Sequence, residues 1–262
     1  MRRGPHKLAL ALCGLLSSLA LAQAPKVVIT YATNPNYPPY DWAISDTAYD
    51  GASIELLTRA CPPGVELHPL VFPWKRAMAL AEAGKIDMLI SLRITPERSQ
   101  FLQFTSHRAF PNPIAVFVRK DRAFPFRQWS DLRGHLGGYS AGDSFGAGFD
   151  TYWRRSLTME EAPSMSTNFQ KLLLGHIDYF VSSYYLGLGY IRSHPEAQAI
   201  IALQPMISEQ DIYFAFSKQS PNQRYLDAFS QRLEALDKKG VPDALLKKYL
   251  LRYVSNPTAK LP

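Results

Sequence analysis

Residues 84–98 constrain the fold of this chain more than any other stretch. Gly84 is typical of a helix end, and the apolar residues 86–92 have the length of a buried strand. Thr95 and Pro96 then predict the start of another helix, with Arg98 in its first turn. A buried strand with a helix on either side is the repeating unit of an α/β fold.

The same stretch places polar chemistry at one end of the predicted strand. Ser91 lies near its carboxyl end, and Arg98 follows from the next helix start. A hydroxyl, free main-chain N–H groups and a guanidinium together suit a carboxylate. The stretch therefore predicts an anion site, although a solvent-facing arginine at a helix start fits the same pattern.

The first third of the chain alternates strands and helices. Strands are predicted at residues 26–33 and 65–72, and helices at residues 54–60 and 74–83. This order favours a parallel sheet with crossover helices.

The prolines among residues 34–42 predict a rigid loop directly after the first strand. We expect this loop to hold Tyr37, Tyr40 and Trp42 outward. Open α/β sheets bind ligands outside such strand ends, so these rings are candidate ligand contacts.

A second series of elements is predicted further along the chain. Its strands are expected at residues 112–119, 136–140, 177–181 and 210–217. One helix is expected to end near residue 155, and three others are expected at residues 169–174, 223–239 and 242–253. The sequence Gly84-Lys-Ile-Asp87 recurs as Gly175-His-Ile-Asp178, each between a helix and a strand. This short repeat suggests two lobes of similar wiring.

Residues 1–22 are predicted to be a secretory signal peptide. A basic start precedes a short apolar run, and Ala20 and Ala22 suit cleavage before Gln23. Cys13 lies inside the apolar run rather than at its end, which disfavours a lipoprotein. The mature chain is therefore expected to be exported and to carry Cys61 as a lone thiol, without a disulfide.

Composition excludes some classes of partner. The chain has 262 residues with 47% hydrophobic content, enough for one large domain or two ordinary ones. Removal of Arg2, Arg3 and Lys7 with the signal peptide takes the net charge from +7 to +4, and the remaining positive charges are scattered, so no nucleic-acid partner is expected. The histidines show no metal-ligand spacing, and neither a metal nor a cofactor is predicted.

Several modest motifs occur in a characteristic order. They are Tyr37-Pro-Pro-Tyr40, Trp74, Gly84-Lys-Ile-Asp87, Thr95-Pro-Glu-Arg98, Trp129-Ser-Asp-Leu-Arg-Gly134, Gly142-Asp-Ser144, Gly175-His-Ile-Asp178, Tyr213-Phe-Ala-Phe-Ser-Lys218 and the final helices with Lys248-Tyr249. In this order and spacing the chain resembles the family 3 bacterial extracellular solute-binding proteins, receptors of polar amino-acid ABC transporters. The resemblance covers residues 26–253.

The resemblance implies the two-lobed periplasmic binding protein fold of type II, in which two α/β lobes are joined by two crossing strands. The crossings are expected near residues 114–119 and 212–217. Lobe one would comprise residues 23–114 and 215–262, and lobe two residues 115–214. The lobes would close on a ligand by a hinge motion.

The resemblance also implies roles for five residues. Tyr37 and Trp74 would hold the apolar part of the ligand between their rings. Ser91 would touch the ligand carboxylate, Arg98 would clamp it, and Ser144 of lobe two would close on it.

Departures from the family pattern affect the expected ligand. Ser183 stands where amino-acid binders commonly have an aspartate for the ligand ammonium, and Arg93 stands at a position that is usually small. We therefore expect either a carboxylate without an amine or one with extra negative charge met by Arg93. Asp143 could instead supply the acid, and a solvent-facing Arg93 is the alternative.

The expected protein is a monomeric periplasmic receptor, not an enzyme, that delivers a small carboxylate or amino acid to an ABC permease. One alternative is an enzyme of dehydratase or lyase type on the same fold, with Asp41, Asp143 or Glu97 as its acid. A sensor partner instead of a permease is another.

A serine hydrolase is the most remote alternative. Residues 142–146 fit the pattern G-x-S-x-G around Ser144, and Asp178 and His194 follow in hydrolase order.

Overall fold

The computed structural model describes residues 27–255 together with Met1. Residues 2–22 of the predicted signal peptide, including Cys13, lie outside the described residues. Within the described part of the chain, no helix has the length and apolar character needed to span a membrane.

Strands and helices alternate along the described chain. The strands are β1 (Val27–Ala32), β2 (Asn36–Tyr37), β3 (Asp41–Ser45), β4 (Ala48–Asp50), β5 (Val65–Pro69), β6 (Met88–Leu92), β7 (Leu102–Phe104), β8 (Phe110–Pro111), β9 (Ile114–Arg119), β10 (Leu136–Ser140), β11 (Thr158–Ala162), β12 (Tyr179–Ser183), β13 (Ile200–Ala202) and β14 (Asp211–Ser217). The α-helices are α1 (Ala52–Ala60), α2 (Trp74–Glu82), α3 (Arg98–Phe101), α4 (Ala147–Ser156), α5 (Met165–Leu174), α6 (Tyr184–Ser193), α7 (Leu226–Asp237) and α8 (Val241–Ser255).

The first sheet has the strand order β5-β1-β6-β14-β7, and β8 pairs with β14. β1 is parallel to β5 and β6, as expected for strands joined by crossover helices. The carboxyl ends of β1 and β6 therefore share one edge of this sheet. That edge carries the loop with Tyr37 and the segment with Ser91.

The second sheet has the order β11-β10-β12-β9-β13. Here β10 is parallel to β11 and β12, whereas β9 is antiparallel to β12 and β13. The described chain thus has two sheets with associated helices, as expected for two α/β lobes.

The chain crosses between the sheets at two neighbouring places. One lies at residues 112–113, between β8 and β9, and the other at residues 203–210, between β13 and β14. Pairing of Phe110 with Ile212 and an isolated bridge of Ile114 with Ser208 hold the two crossings side by side.

The crossings therefore lie just before the predicted ranges, residues 114–119 and 212–217, and not within them. β9 lies wholly in the second sheet and β14 wholly in the first. Both are apolar runs, and such a run shows burial without showing in which sheet the strand is buried. The exact lobe bounds stay a prediction.

The proline-rich loop differs from its prediction. Its residues enter a small three-stranded sheet of β2, β3 and β4. Tyr40 and Trp42, predicted to be held outward, are 0% and 5% exposed and belong to the core. The Tyr40 hydroxyl donates to the Pro111 carbonyl at 2.7 Å, which satisfies its buried polar end. This loop therefore braces the first crossing.

Candidate functional site

Three neighbouring cavities lie in the cleft between the two sheets, and Trp74 lines all of them. The central cavity has a volume of about 30 Å³, and those on either side have about 420 and 320 Å³. The central cavity is lined by Asn34, Tyr37, Trp74, Ser91, Leu92, Arg93, Arg98, Gly142, Asp143, Ser144 and Ile212. Seven of the eight predicted site residues thus meet at one place.

Arg98 is positioned by the start of α3. Its main-chain N–H donates to the Thr95 hydroxyl at 3.2 Å, which supports the predicted helix start. Its Nη1 donates to the Arg93 carbonyl at 3.1 Å, and its guanidinium carbon lies 5.9 Å from the Trp74 ring centroid. Burial and the charge of Arg93 lower the pKa of Arg98 to about 10, so it remains cationic at neutral pH.

Arg93 is 7% exposed and does not face solvent, which removes that alternative. Nη1 donates to the Ser144 carbonyl at 2.9 Å and Nη2 to the Asn112 carbonyl at 3.0 Å. Its Nε has no hydrogen-bond partner among the described residues. Arg93 therefore connects the end of β6 to the first crossing and to the second sheet.

Asp143 is the acidic residue of the central cavity. It follows β10, and its main-chain N–H donates to the Ser140 carbonyl at 3.0 Å. Burial raises its pKa to about 6, although the charges of Arg93 and Arg98 lower it. The cavity thus contains two guanidiniums and one carboxyl group that is largely ionised at neutral pH.

The Ser144 hydroxyl is bound to a side chain of the protein itself. Ser144 Oγ donates to Asp150 at 2.6 Å, and the N–H groups of Phe145 and Gly146 donate to the same carboxylate at 3.0 and 3.1 Å. Asp150 therefore satisfies the donors before α4. Ser144 lines the central cavity, but its hydroxyl proton is directed to Asp150.

Ser183 is the predicted site residue that the cavity does not include. It is 3% exposed, and its hydroxyl donates to the Asn112 side-chain oxygen. The Asn112 side-chain nitrogen donates in turn to the Tyr37 hydroxyl at 2.6 Å. An uncharged network of Ser183, Asn112 and Tyr37 thus lies at the position where the sequence departs from the acid of the family pattern. Sequence analysis missed Asn112, whose signal is a polar residue before proline in an apolar run.

Ser91 has the left-handed backbone conformation, with φ 62, which is rare for a residue other than glycine. Its hydroxyl donates to the Ser53 hydroxyl at 2.8 Å, away from the cavity. Such strained conformations persist only where the surrounding structure imposes them, and they cluster at functional sites. Asp41, one candidate acid, is fully buried behind this pair.

The serine-hydrolase arrangement is not formed. Ser144 pairs with Asp150, and Asp178 accepts the N–H of Leu136 at 2.7 Å. His194 caps the end of α6 and bonds locally there. A nucleophilic serine needs a base within hydrogen-bond reach, and His194 is not bonded to Ser144.

The sequence of residues 29–252 matches the model of the bacterial extracellular solute-binding proteins, family 3. The chain belongs to this family. No curated protein sequence matches it. As in other family 3 solute-binding proteins, the two sheets and paired crossings form the predicted type II fold.

Solved structures share this fold. A histidine kinase sensor domain has a TM-score of 0.72 and 20% identity, over 87% of this chain and 98% of that one. The substrate-binding protein of an amino acid ABC transporter has a TM-score of 0.67 and 20% identity, over 85% and 98%. The substrate-binding protein AbpA from Streptococcus pneumoniae, bound to L-arginine, has a TM-score of 0.71 and 17% identity, over 87% and 96%.

Proposed function

We propose that this family 3 solute-binding protein captures a small solute of net negative charge in the interlobe cleft. One observation carries the proposal: Arg93 and Arg98 converge on one cavity in which Asp143 is the single acidic lining residue. The lining of this cavity thus carries two guanidiniums and one carboxyl group, and the Asp150 carboxylate beyond Ser144 also acts on Arg98 without lining the cavity. A buried charge without a partner is costly, so an anion is the ligand that balances it.

The position of Ser183 supports an acid rather than an ordinary α-amino acid. Its hydroxyl is uncharged and is already bound to Asn112, so this position offers no negative charge to a ligand ammonium. Asp143 alone remains for an ammonium, and it already faces two guanidiniums. Mono- and dicarboxylates, and amino acids with an acidic side chain, fit this charge balance.

Hinge closure would place the ligand between residues of both lobes. Arg93, Arg98 and Trp74 belong to the first sheet and its helices, whereas Asp143 and Ser144 follow β10 of the second. The two sides meet at Trp74, since a Cβ on Gly142 would lie 3.3 Å from its ring. Lys75 also reaches Glu161 across the cleft at 3.4 Å. An anion bridging both sides favours the closed arrangement by its differential affinity.

The biological setting is an exported receptor that delivers its solute to an ABC permease. The family is extracellular by its description, and similar folds occur in substrate-binding proteins of amino acid ABC transporters. The predicted cleaved signal peptide and periplasmic location are consistent with this setting. We further propose that Tyr37 and Trp74 flank the solute, and that the hydroxyls of Ser91 and Ser144 turn toward it when it binds.

The test is a thermal-shift screen of the mature chain followed by calorimetry. Succinate, citrate and L-glutamate are compared with L-glutamine and L-arginine. A ligand at about 100 times its Kd stabilises the folded protein by about 2.7 kcal/mol, which gives a clear shift in Tm. We expect at least one acid to bind and the neutral and cationic amino acids to fail.

Variants identify the site in that screen. Arg98→Ala is expected to weaken binding of the acid at least about 100-fold, because a charge-assisted bidentate contact is lost. Arg127→Ala removes an exposed cation outside the cleft and serves as the matched control. Nanomolar binding of L-glutamine or L-arginine without any acid would contradict the proposal.

A further inference from the structure

Asp41, the first residue of β3, is a fully buried carboxyl group without a cationic partner. It is 0% exposed, and Oδ2 accepts a hydrogen bond from the Thr33 hydroxyl at 2.8 Å. Its Oδ1 has no hydrogen-bond partner among the described residues. No ion pair within residues 27–255 includes it.

Two serine hydroxyls separate Asp41 from the central cavity. Those of Ser53 and Ser91 both act on the carboxyl group, and Ser91 donates to Ser53 at 2.8 Å. Ser91 in turn lines the cavity. Asp41 therefore lies behind these two hydroxyls, seen from the place where the proposed anion would bind.

The remaining titratable groups that face Asp41 are phenols. They are Tyr31 of β1, Tyr37 of β2 and Tyr49 of β4, and the charge of Asp41 raises the pKa of each. All three are neutral at physiological pH, so none of them supplies a positive charge. Burial raises the pKa of Asp41 to about 8, although the nearby hydroxyls of Ser91, Thr33 and Ser53 lower it.

We propose that Asp41 is a positioning residue of the anion site, and that it stays protonated while the receptor binds its ligand. The inference rests on the proposed function. A neutral Asp41 has an O–H of its own to donate, and the hydroxyls of Ser53 and Ser91, which act on this carboxyl group, can accept it. Each serine hydroxyl has only one proton. In this structure the Ser91 proton is directed inward to Ser53. A neutral Asp41 that donates into the serine pair frees the Ser91 proton for an anion, whereas an ionised Asp41 keeps that proton inward and adds a negative charge behind the ligand.

The experiment compares the mature wild type with Asp41→Asn, which imitates the neutral acid, and with Asp46→Asn as matched control. Asp46 is an exposed residue in the turn between β3 and β4. The first measurement, without ligand, is the unfolding constant in urea from about pH 5 to about pH 7. The second is the Kd of succinate at about pH 7 and about pH 9.

A protonated Asp41 ionises on unfolding, so rising pH favours the unfolded wild type. We expect the wild-type unfolding constant to rise relative to that of Asp41→Asn by up to about tenfold per pH unit. We expect succinate to bind wild type about tenfold more weakly at the higher pH, and Asp41→Asn to change less than about twofold. Asp46→Asn should behave as wild type in both measurements.

The two measurements separate the possible failures. A pH-independent ratio of unfolding constants shows that Asp41 is not protonated and overturns the proposal. The expected ratio with an unchanged wild-type Kd for succinate overturns the coupling through Ser91. The expected ratio with no binding of succinate, citrate or L-glutamate at any pH overturns the role of Asp41 in anion capture and counts against the proposed function, while its protonation stands.

Discussion

The Arg93 guanidinium donates from Nη1 to the Ser144 carbonyl at 2.9 Å and so joins the two sides of the cleft. Its Nη2 donates to the Asn112 carbonyl at the first crossing, at 3.0 Å. One side chain thus contacts the first sheet, the crossing and the turn before α4. We therefore predict that Arg93 favours the arrangement in which the two sides of the cleft meet.

Arg93→Ala is expected to open the ligand-free protein. Hydrogen bonds from a charged group contribute about 1.5–3 kcal/mol each, and both are lost. Small-angle X-ray scattering should show a larger radius of gyration, and affinity for the acid found in the screen should fall more than about tenfold. Arg93→Lys keeps the charge without the planar fork, so its radius of gyration and affinity should lie between those of wild type and Arg93→Ala. An unchanged radius and affinity in Arg93→Ala would show that this contact does not control closure.

Trp74 is expected to contribute through its ring face. The Arg98 guanidinium carbon lies 5.9 Å from the ring centroid, and such contacts contribute about 0.5–2 kcal/mol. Trp74→Ala should weaken acid binding about tenfold and also merge the cavities that the ring divides. Trp74→Phe keeps a ring face and should retain most of the affinity. Equal losses in both variants, measured by calorimetry, would argue against a ring-face contribution.

Much of the first sheet could be predicted because its strands are apolar runs bounded by glycine or proline. The strand predicted at residues 86–92 is β6 at Met88–Leu92, and that at residues 210–217 is β14 at Asp211–Ser217. Helix α6 was missed since Gly187 and Gly189 disfavour a helix. Packing explains Gly187: a Cβ there would lie 2.0 Å from the Phe117 ring.

The candidate site could be predicted as a set of residues but not as a network. Local motifs identified Tyr37, Trp74 and Arg98, which do meet in the cleft. The contacts of Asn112 and Asp150 depend on how the two sheets face each other and on the turn before α4. Sequence spacing does not encode such long-range geometry, so these partners were missed.

Gly51 gives a prediction about stability. Its φ of 134 lies in the region that side chains rarely adopt, and a Cβ there would lie 2.2 Å from the Tyr40 carbonyl oxygen. Gly51→Ala is expected to lower the free energy of unfolding by about 3 kcal/mol or more.

Gly64 is the matched control for Gly51. It also has a positive φ, 79, but nothing lies within 4 Å of an added Cβ. Gly64→Ala should therefore cost only about 1 kcal/mol. Urea denaturation of both variants checks the difference, and equal losses would show that the close approach to Tyr40 is not the cause.

Asp143 predicts a second pH dependence, at lower pH than that of Asp41. Burial raises its pKa from 3.8 to about 6, so the folded protein holds this proton more tightly than the unfolded chain. Its contribution to stability is present below about pH 4 and is lost as the pH rises to about 6. Protonation also removes a negative charge beside Arg93 and Arg98, so anion affinity should rise as the pH falls through the same range.

Asp143→Asn should remove both effects because its amide does not titrate. The difference in unfolding free energy between wild type and this variant should change by at most about 1.4 kcal/mol per pH unit between about pH 4 and 6. Because the acid found in the screen also titrates in this range, the quantity to compare is the ratio of wild-type to variant affinity, measured by calorimetry at each pH. This ratio should rise on acidification. If both proteins show the same pH profile, Asp143 is not the group that titrates, and the charge balance of the cleft has to be redrawn around Arg93 and Arg98 alone.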